Sequence, residues 1–429
     1  MKKFGNFKNP ILIGTALLTL AGGISRIMGF FYRIFLSRTI GAEGLGLYQL
    51  ITPVLAISFA LTSAGFQTAI SKYVASKSEE KKNFLIAGII PAVIISAILA
   101  IFIYNNSLWI SINILGDYRC NLLLKISSYA LIPCAIHSCI NGYFYGLKKT
   151  AVPAFSQLIE QIVRIISVYV FALVLSKQGL SISPLHAIWG IVFSELADMI
   201  FSLLFIDKIA IKASWESIKM ILIMALPLCT NYLLINLCSS LENILIPKQL
   251  NVFGYSSSDA LSIYGVLSGI AVPVILFPGV LFNSVCVMLL PAISEAHAKK
   301  DNTKISRIIS LTIGFGLITG FICTFCFLLS AKFIGSYIFS SDMACDFIRR
   351  LCWLCPFMYL SGMLGSILHG LGQPKNVLFA NLLASAIKIS SILILVPGYG
   401  INAYLWGLLI ANIFTTLTFL ILVRSVNKR

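Results

Sequence analysis

The chain has 429 residues, 58% hydrophobic and only 11% charged, with a mean hydropathy of +0.94 and a net charge of +17. Soluble globular domains do not reach these values, which identify a polytopic membrane protein. So strong a basic balance raises a nucleic-acid partner, but the placement of Lys and Arg along the chain argues for membrane topology instead.

Twelve apolar runs are long enough to cross a bilayer core roughly 30 Å thick. They cover 11–36, 45–71, 84–104, 122–147, 151–176, 184–206, 218–246, 260–291, 305–329, 347–371, 376–396 and 401–423. With the N-terminus on the cytoplasmic side, 20 of the 32 Lys and Arg fall on cytoplasmic segments and 8 on external ones; Arg26, Arg33, Arg164 and Lys388 lie inside helices. The bias predicts both termini in the cytoplasm. Lys2 and Lys3 precede an apolar stretch too long for a signal-peptide core, so the first helix is expected to act as its own insertion signal.

The first run carries the sharpest signal. Gly22, Arg26, Gly29 and Arg33 recur at steps of four, three and four, one helical stripe with the two arginine Cα atoms on the order of 10 Å apart. An arginine at mid-bilayer costs about 2.5–3.5 kcal/mol on insertion scales, so the pair implies a wet or protein-lined surface that uses positive charge. Guanidinium forks bind phosphate oxygens bidentately and stay charged at any relevant pH, which makes an anionic headgroup the expected ligand. Arg33 lies nearer the outer interface, where snorkelling is the alternative reading.

In the fourth run His137 lies one turn from Asn141, and His369 sits at the end of the tenth; both read as structural histidines, and no cluster with metal-ligand spacing is visible. The fifth run presents Gln157, Glu160, Gln161 and Arg164 on one face. The spacing of Glu160 and Arg164 also permits a local ion pair. Glu195 and Asp198 in the sixth run are candidates for a coupling proton or Na⁺, with helix packing or an ion pair to a neighbour such as Lys219 as alternatives. Glu242 is the acid of the seventh. Lys388 in the eleventh has no in-helix partner, so it is read as a second anion contact or as half of an interhelical pair.

The two halves repeat. Tyr145-Gly146-Leu147 and His369-Gly370-Leu371 each end a span before a basic, proline-containing turn, and at an offset of 224 Gln157, Gln161 and Arg164 match Asn381, Ser385 and Lys388. At an offset of 216 Tyr48 matches Tyr264, and Arg26 falls on Glu242. Six spans per repeat give two parallel bundles, 1–212 and 213–429, related by an axis along the membrane normal, with a cleft between them as in transporters. The overlay suggests that Glu242 pairs with Arg26 or Arg33 when the outer gate is closed. The eleven cysteines, including the Cys323/Cys326 and Cys352/Cys355 pairs, read as small apolar residues. No Walker loop, nucleophile elbow or zinc motif is present, and the short loops leave no room for a catalytic domain.

The segment Gly22-Gly23-Ile24-Ser25-Arg26-Ile27-Met28-Gly29-Phe30-Phe31-Tyr32-Arg33, and Arg38-Thr39-Ile40-Gly41-Ala42-Glu43-Gly44-Leu45-Gly46-Leu47-Tyr48-Gln49 after it, resembles the opening of the polysaccharide-biosynthesis branch of the MOP (multidrug, oligosaccharidyl-lipid, polysaccharide) exporters. Asn141 to Leu147 and Leu368 to Pro374 resemble the same family. The resemblance implies an all-α, MATE-like fold of two six-helix bundles in a V, alternating access, and as substrate an undecaprenyl-diphosphate-linked saccharide. It is to the twelve-span sporulation members. In the lipid II flippases of the superfamily the second arginine follows the first by six residues, against seven here, and two further C-terminal spans are present.

These readings together predict a non-enzymatic flippase or exporter in the bacterial plasma membrane, serving cell-wall, spore-cortex or surface-polysaccharide assembly. Arg26, Arg33, Arg164, Lys388, Gln157, Gln161 and Asn381 are its expected substrate contacts; Glu160, Glu195, Asp198 and Glu242 are its gating or coupling acids. No cofactor, metal or nucleic acid is expected. Membrane lipids, cell-wall synthases and a coupling H⁺ or Na⁺ are the expected partners of a monomer. The alternatives are a cation-exporting multidrug antiporter of the same fold, an integral-membrane glycosyltransferase or polymerase, and a non-transporting scaffold.

Overall fold

A computed structural model describes residues 10–76, 81–206 and 213–427. The basic residues Lys2, Lys3, Lys8, Lys77, Lys208, Lys212, Lys428 and Arg429, used for topology, lie outside the described residues, as does the 212/213 boundary on its N-terminal side. Every described element is helical. Backbone groups in hydrocarbon must be satisfied within their own segment, and a sequence this apolar can do so only as helices.

Twelve helical rods follow in order: α1 Ala16–Ser76, α2 Lys81–Leu115, α3 Cys120–Gly146, α4 Ala151–Lys177, α5 Pro184–Leu204, α6 Trp215–Phe253, α7 Ser257–Leu276, α8 Gly279–Ala298, α9 Asn302–Ile338, α10 Asp342–Gly370, α11 Pro374–Tyr399 and α12 Ile401–Ser425. All but α8 are long and apolar enough, among the described residues, to cross a membrane. Rod α1 holds the first two expected spans, separated at Gly41, whose φ of 70° and ψ of −178° leave the helix. Glycine alone reaches that conformation without steric cost. The eighth expected span, 260–291, is two helices, α7 and α8, parted at Phe277 and Pro278. The chain is a multi-pass membrane protein.

Packing divides the chain into two units, Met1–Ile40 with Leu47–Ser240, and Gly41–Gly46 with Leu241–Arg429. The first has a core around Phe66, Ile70, Phe84, Tyr143 and Ile221, where α1, α2, α3 and α6 meet. In the second, Ile293, Ile309, Leu364, Leu368 and Phe419 join α8, α9, α10 and α12. Stripes such as Ile94, Ile98, Ile101 and Phe102 on α2, or Leu311, Phe315, Ile318 and Phe325 on α9, are exposed. They follow helical spacing and present the apolar face that lipid requires.

All eleven cysteines are free and seven are buried, in keeping with their reading as packing residues.

Candidate functional site

In the first unit the glycine–arginine stripe of α1 looks toward the polar stripe of α4. A Cβ built on Gly22 would lie 4.0 Å from Gln157 Oε1, and one on Gly29 4.0 Å from Gln161 Oε1. The glycines therefore keep an open backbone surface in front of the two amides. Arg26 is exposed on this face, one turn from each glycine; Arg33 is half-buried, within electrostatic range of Tyr48 and Arg164.

Arg164 is ion-paired to Glu160 on its own helix and also donates to Ser194 Oγ of α5, from Nε and Nη2 at 3.3 Å each. The local ion pair permitted by the spacing is thus formed. It leaves Arg164 anchored on two helices, its guanidinium plane fixed.

A buried polar network lies beside it. His137 Nε2 meets Glu195 Oε2 at 2.7 Å, and Nδ1 lies 3.2 Å from Asp198 Oδ2. Ser156 of α4 donates to Asp198 Oδ1, Ser202 donates to the same oxygen at 3.2 Å, and Asn141 Nδ2 donates to Ser156 Oγ at 3.2 Å. Glu195 and Asp198 therefore face His137 of α3, so the ion-pair alternative is met by a histidine and not by a neighbour such as Lys219. Both ring nitrogens of the imidazole thus face carboxylate oxygens, Nε2 in a hydrogen bond and Nδ1 within ion-pair distance.

His137 is also less isolated than its sequence setting implies. Cys134, His137 and Glu195 each offer a ligand atom within 4.8 Å of the others, so the expectation of no metal-spaced cluster needs correction. One turn separates Cys134 from His137 on α3, and Glu195 arrives from α5; the first two were a legible pair, the third was not.

A cavity of about 580 Å³ within this unit is lined by Gln67, His137, Glu160, Arg164 and Glu195 and by Tyr232 and Asn236 of α6; Arg26, Arg33, Gln157, Gln161 and Asp198 are not on its wall. Charged side chains of both signs face it, so it is suited to a polar ligand and a small cation together.

The second unit handles its charges differently. Lys388 Nζ lies 2.7 Å from Glu242 Oε1 and 2.9 Å from Oε2, with Glu242 buried. Of the two readings of Lys388, the interhelical pair is the one formed. Glu242 is accordingly matched with Lys388 within its own unit. Asn381 is exposed two turns earlier on α11.

The polysaccharide biosynthesis protein family model matches residues 11–297, and the MatE model matches 227–394. Stage V sporulation protein B of Bacillus subtilis (strain 168) is 26% identical over 96% of this chain and 83% of its own length. Lipid II flippase MurJ of the same organism is 31% identical over 172 residues, 37% of this chain and 31% of that protein. Among solved structures, the inward-facing conformation of a multidrug resistance MATE family transporter of the MOP superfamily superposes with a TM-score of 0.77 at 15% identity, covering 97% of this chain and 98% of that one. The fold is that of the MOP transporters, and the chain belongs to the polysaccharide biosynthesis protein family.

Proposed function

We propose that this protein flips an anionic, polyprenyl-diphosphate-linked glycan precursor across the bacterial plasma membrane by alternating access, for cell-wall, spore-cortex or surface-polysaccharide assembly. One observation carries the reading. The helix positions that hold the neutral pair Glu242–Lys388 in the second unit correspond, at offsets of 216 and 224, to Arg26 and Arg164 in the first. The repeat has kept the position and changed the charge to two cations, on a face opened by Gly22 and Gly29. A diphosphate is the ligand that such a face suits.

Arg26 binds the diphosphate, Arg33 extends the positive field, and Gln157 and Gln161 donate to sugar or phosphate oxygens. Arg164 is held ready by Glu160. Lys388 and Asn381 supply further contacts once Glu242 releases the lysine. Glu195 and Asp198, bridged by His137, take the coupling H⁺ or Na⁺. The protein works as a monomer with both termini cytoplasmic, alongside cell-wall synthases, and performs no bond chemistry. The names of the relatives support this substrate class, since one is a lipid II flippase.

The MatE match favours a second reading, export of cationic drugs. Proteoliposomes offered either a fluorescent polyprenyl-diphosphate sugar or a cationic dye separate the two. The proposal expects the lipid-linked sugar to change leaflets and the dye to stay; transport of the dye alone would establish the antiporter instead.

A further inference from the structure

The transport residues leave unused a cavity of about 710 Å³ in the second unit, between the first half of α10 and α12. Arg349 and Arg350 stand at one end of it, and Leu409 and Ile413 lie at the other. Both arginines are exposed, and Arg350 donates from Nη1 to Asn402 Oδ1, which fixes its fork at the mouth. Asp346 sits one turn back on the same helix, yet among the described residues neither arginine is ion-paired. Trp353 and Trp406, both exposed, form the walls just below.

Dimensions say what fits. Ile413 lies eleven residues beyond Asn402, about 16 Å along the helix and close to half of a bilayer core roughly 30 Å thick. The furrow therefore runs from a cationic mouth at the interface, marked by two tryptophans, to the depth of about one leaflet. Arginines and tryptophans at a membrane border often serve only as anchors. Here they share one concave space with an apolar floor, which an anchor does not require.

We propose that this cavity binds one anionic phospholipid of the surrounding bilayer, its phosphate on Arg349 and Arg350 and an acyl chain along α12. Two guanidinium groups supply paired donors to phosphate oxygens. They also select by charge: a zwitterionic lipid brings its own ammonium, which the arginines repel, whereas a phosphatidylglycerol brings none. Basic residues near an anionic membrane surface favour binding by about fivefold each, so the pair gives roughly 25-fold in relative affinity.

The full chain, with Trp109, Trp189 and Trp215 replaced by Phe, leaves Trp353 and Trp406 as the only indole reporters. In nanodiscs of dioleoyl-phosphatidylcholine, small amounts of brominated phosphatidylglycerol should quench them at roughly 25-fold lower mole fraction than brominated phosphatidylcholine. The R349Q/R350Q variant should lose the difference while keeping its fluorescence without bromine. Equal quenching by the two lipids, or a preference that survives in the double variant, would overturn the proposal. So would displacement by millimolar inorganic phosphate, which would make the site one for a free anion.

Discussion

On the sequence overlay Arg26 falls on Glu242, and Arg164 on Lys388. In the second unit the result is an interhelical pair at 2.7 Å; in the first it is two cations, one of which borrows Glu160 from its own helix. Removing one partner of the buried pair should therefore be costly. Glu242→Gln leaves the Lys388 ammonium, 21% exposed, without its acid, and should lower stability by about 3 kcal/mol, read as a fall in the thermal midpoint of the detergent-solubilised protein. Glu242→Gln combined with Lys388→Met should recover most of that loss; a double variant no better than the single would mean the pair contributes nothing specific. His137→Ala should cost a similar amount, about 3–5 kcal/mol, because the buried Glu195 and Asp198 carboxyls then lose the imidazole that faces both of them. At this scale the acids and arginines were legible, since charges in an apolar run are conspicuous. Their partners were not: His137 and Glu195 are 58 residues apart, and helical spacing says which residues share a face but not which faces meet.

Among elements, the break at Gly41 was foreshadowed by the gap between the first two apolar runs, whereas Pro278 lies inside one continuous run and was read through. The repeat explains the irregularity. Residues 276–280 correspond at an offset of 216 to 60–64, where α1 widens into a π-helical turn from Ala60 to Ala64. On that overlay the two interruptions coincide, although α7 also has a π-helical turn of its own at Leu267–Ala271, and such interruptions mark bends in membrane helices. Close approach is the second element-scale feature. A Cβ on Gly46 would come 2.1 Å from the Leu261 carbonyl, and one on Gly265 2.4 Å from Gly46 N. Gly46→Ala or Gly265→Ala should each destabilise by about 1–3 kcal/mol through forced backbone shifts, again measured by thermal unfolding. A midpoint equal to wild type would show that the crossing is looser than its geometry.

Helix α9 opens outside the apolar region on Asp301, whose Oδ1 accepts from Thr303 Oγ1 at 2.7 Å and from the Lys304 amide at 2.9 Å. Those bonds hold the carboxyl below its ordinary value of 3.8. A depressed value means the cap stabilises α9 above the unfolded-state pKa and loses that contribution as pH falls through the folded one. Amide exchange at Lys304 should accordingly be faster in Asp301→Ala than in wild type at pH 7, with the difference closing as the pH falls through the depressed pKa of the folded state. Equal exchange at pH 7 would remove the cap from the account.

For the whole molecule, composition alone announced a multi-pass helical membrane protein, and the opening motif announced its family. What the sequence could not convey was the division of labour between the repeats, because it depends on Lys388 finding Glu242 while Arg164 turns to Glu160 and Ser194. The resulting account is that the first unit carries arginines at the positions where the second carries the Glu242–Lys388 pair, with Arg26 proposed as the contact for a diphosphate. The most direct test is translocation of a labelled polyprenyl-diphosphate sugar in proteoliposomes containing wild type, Arg26→Lys or Arg26→Ala. The account predicts at least a tenfold loss of rate for Arg26→Ala, about 1.4 kcal/mol or more, and a partial loss for Arg26→Lys, which keeps the charge without the fork. Wild-type rates in Arg26→Ala would contradict it.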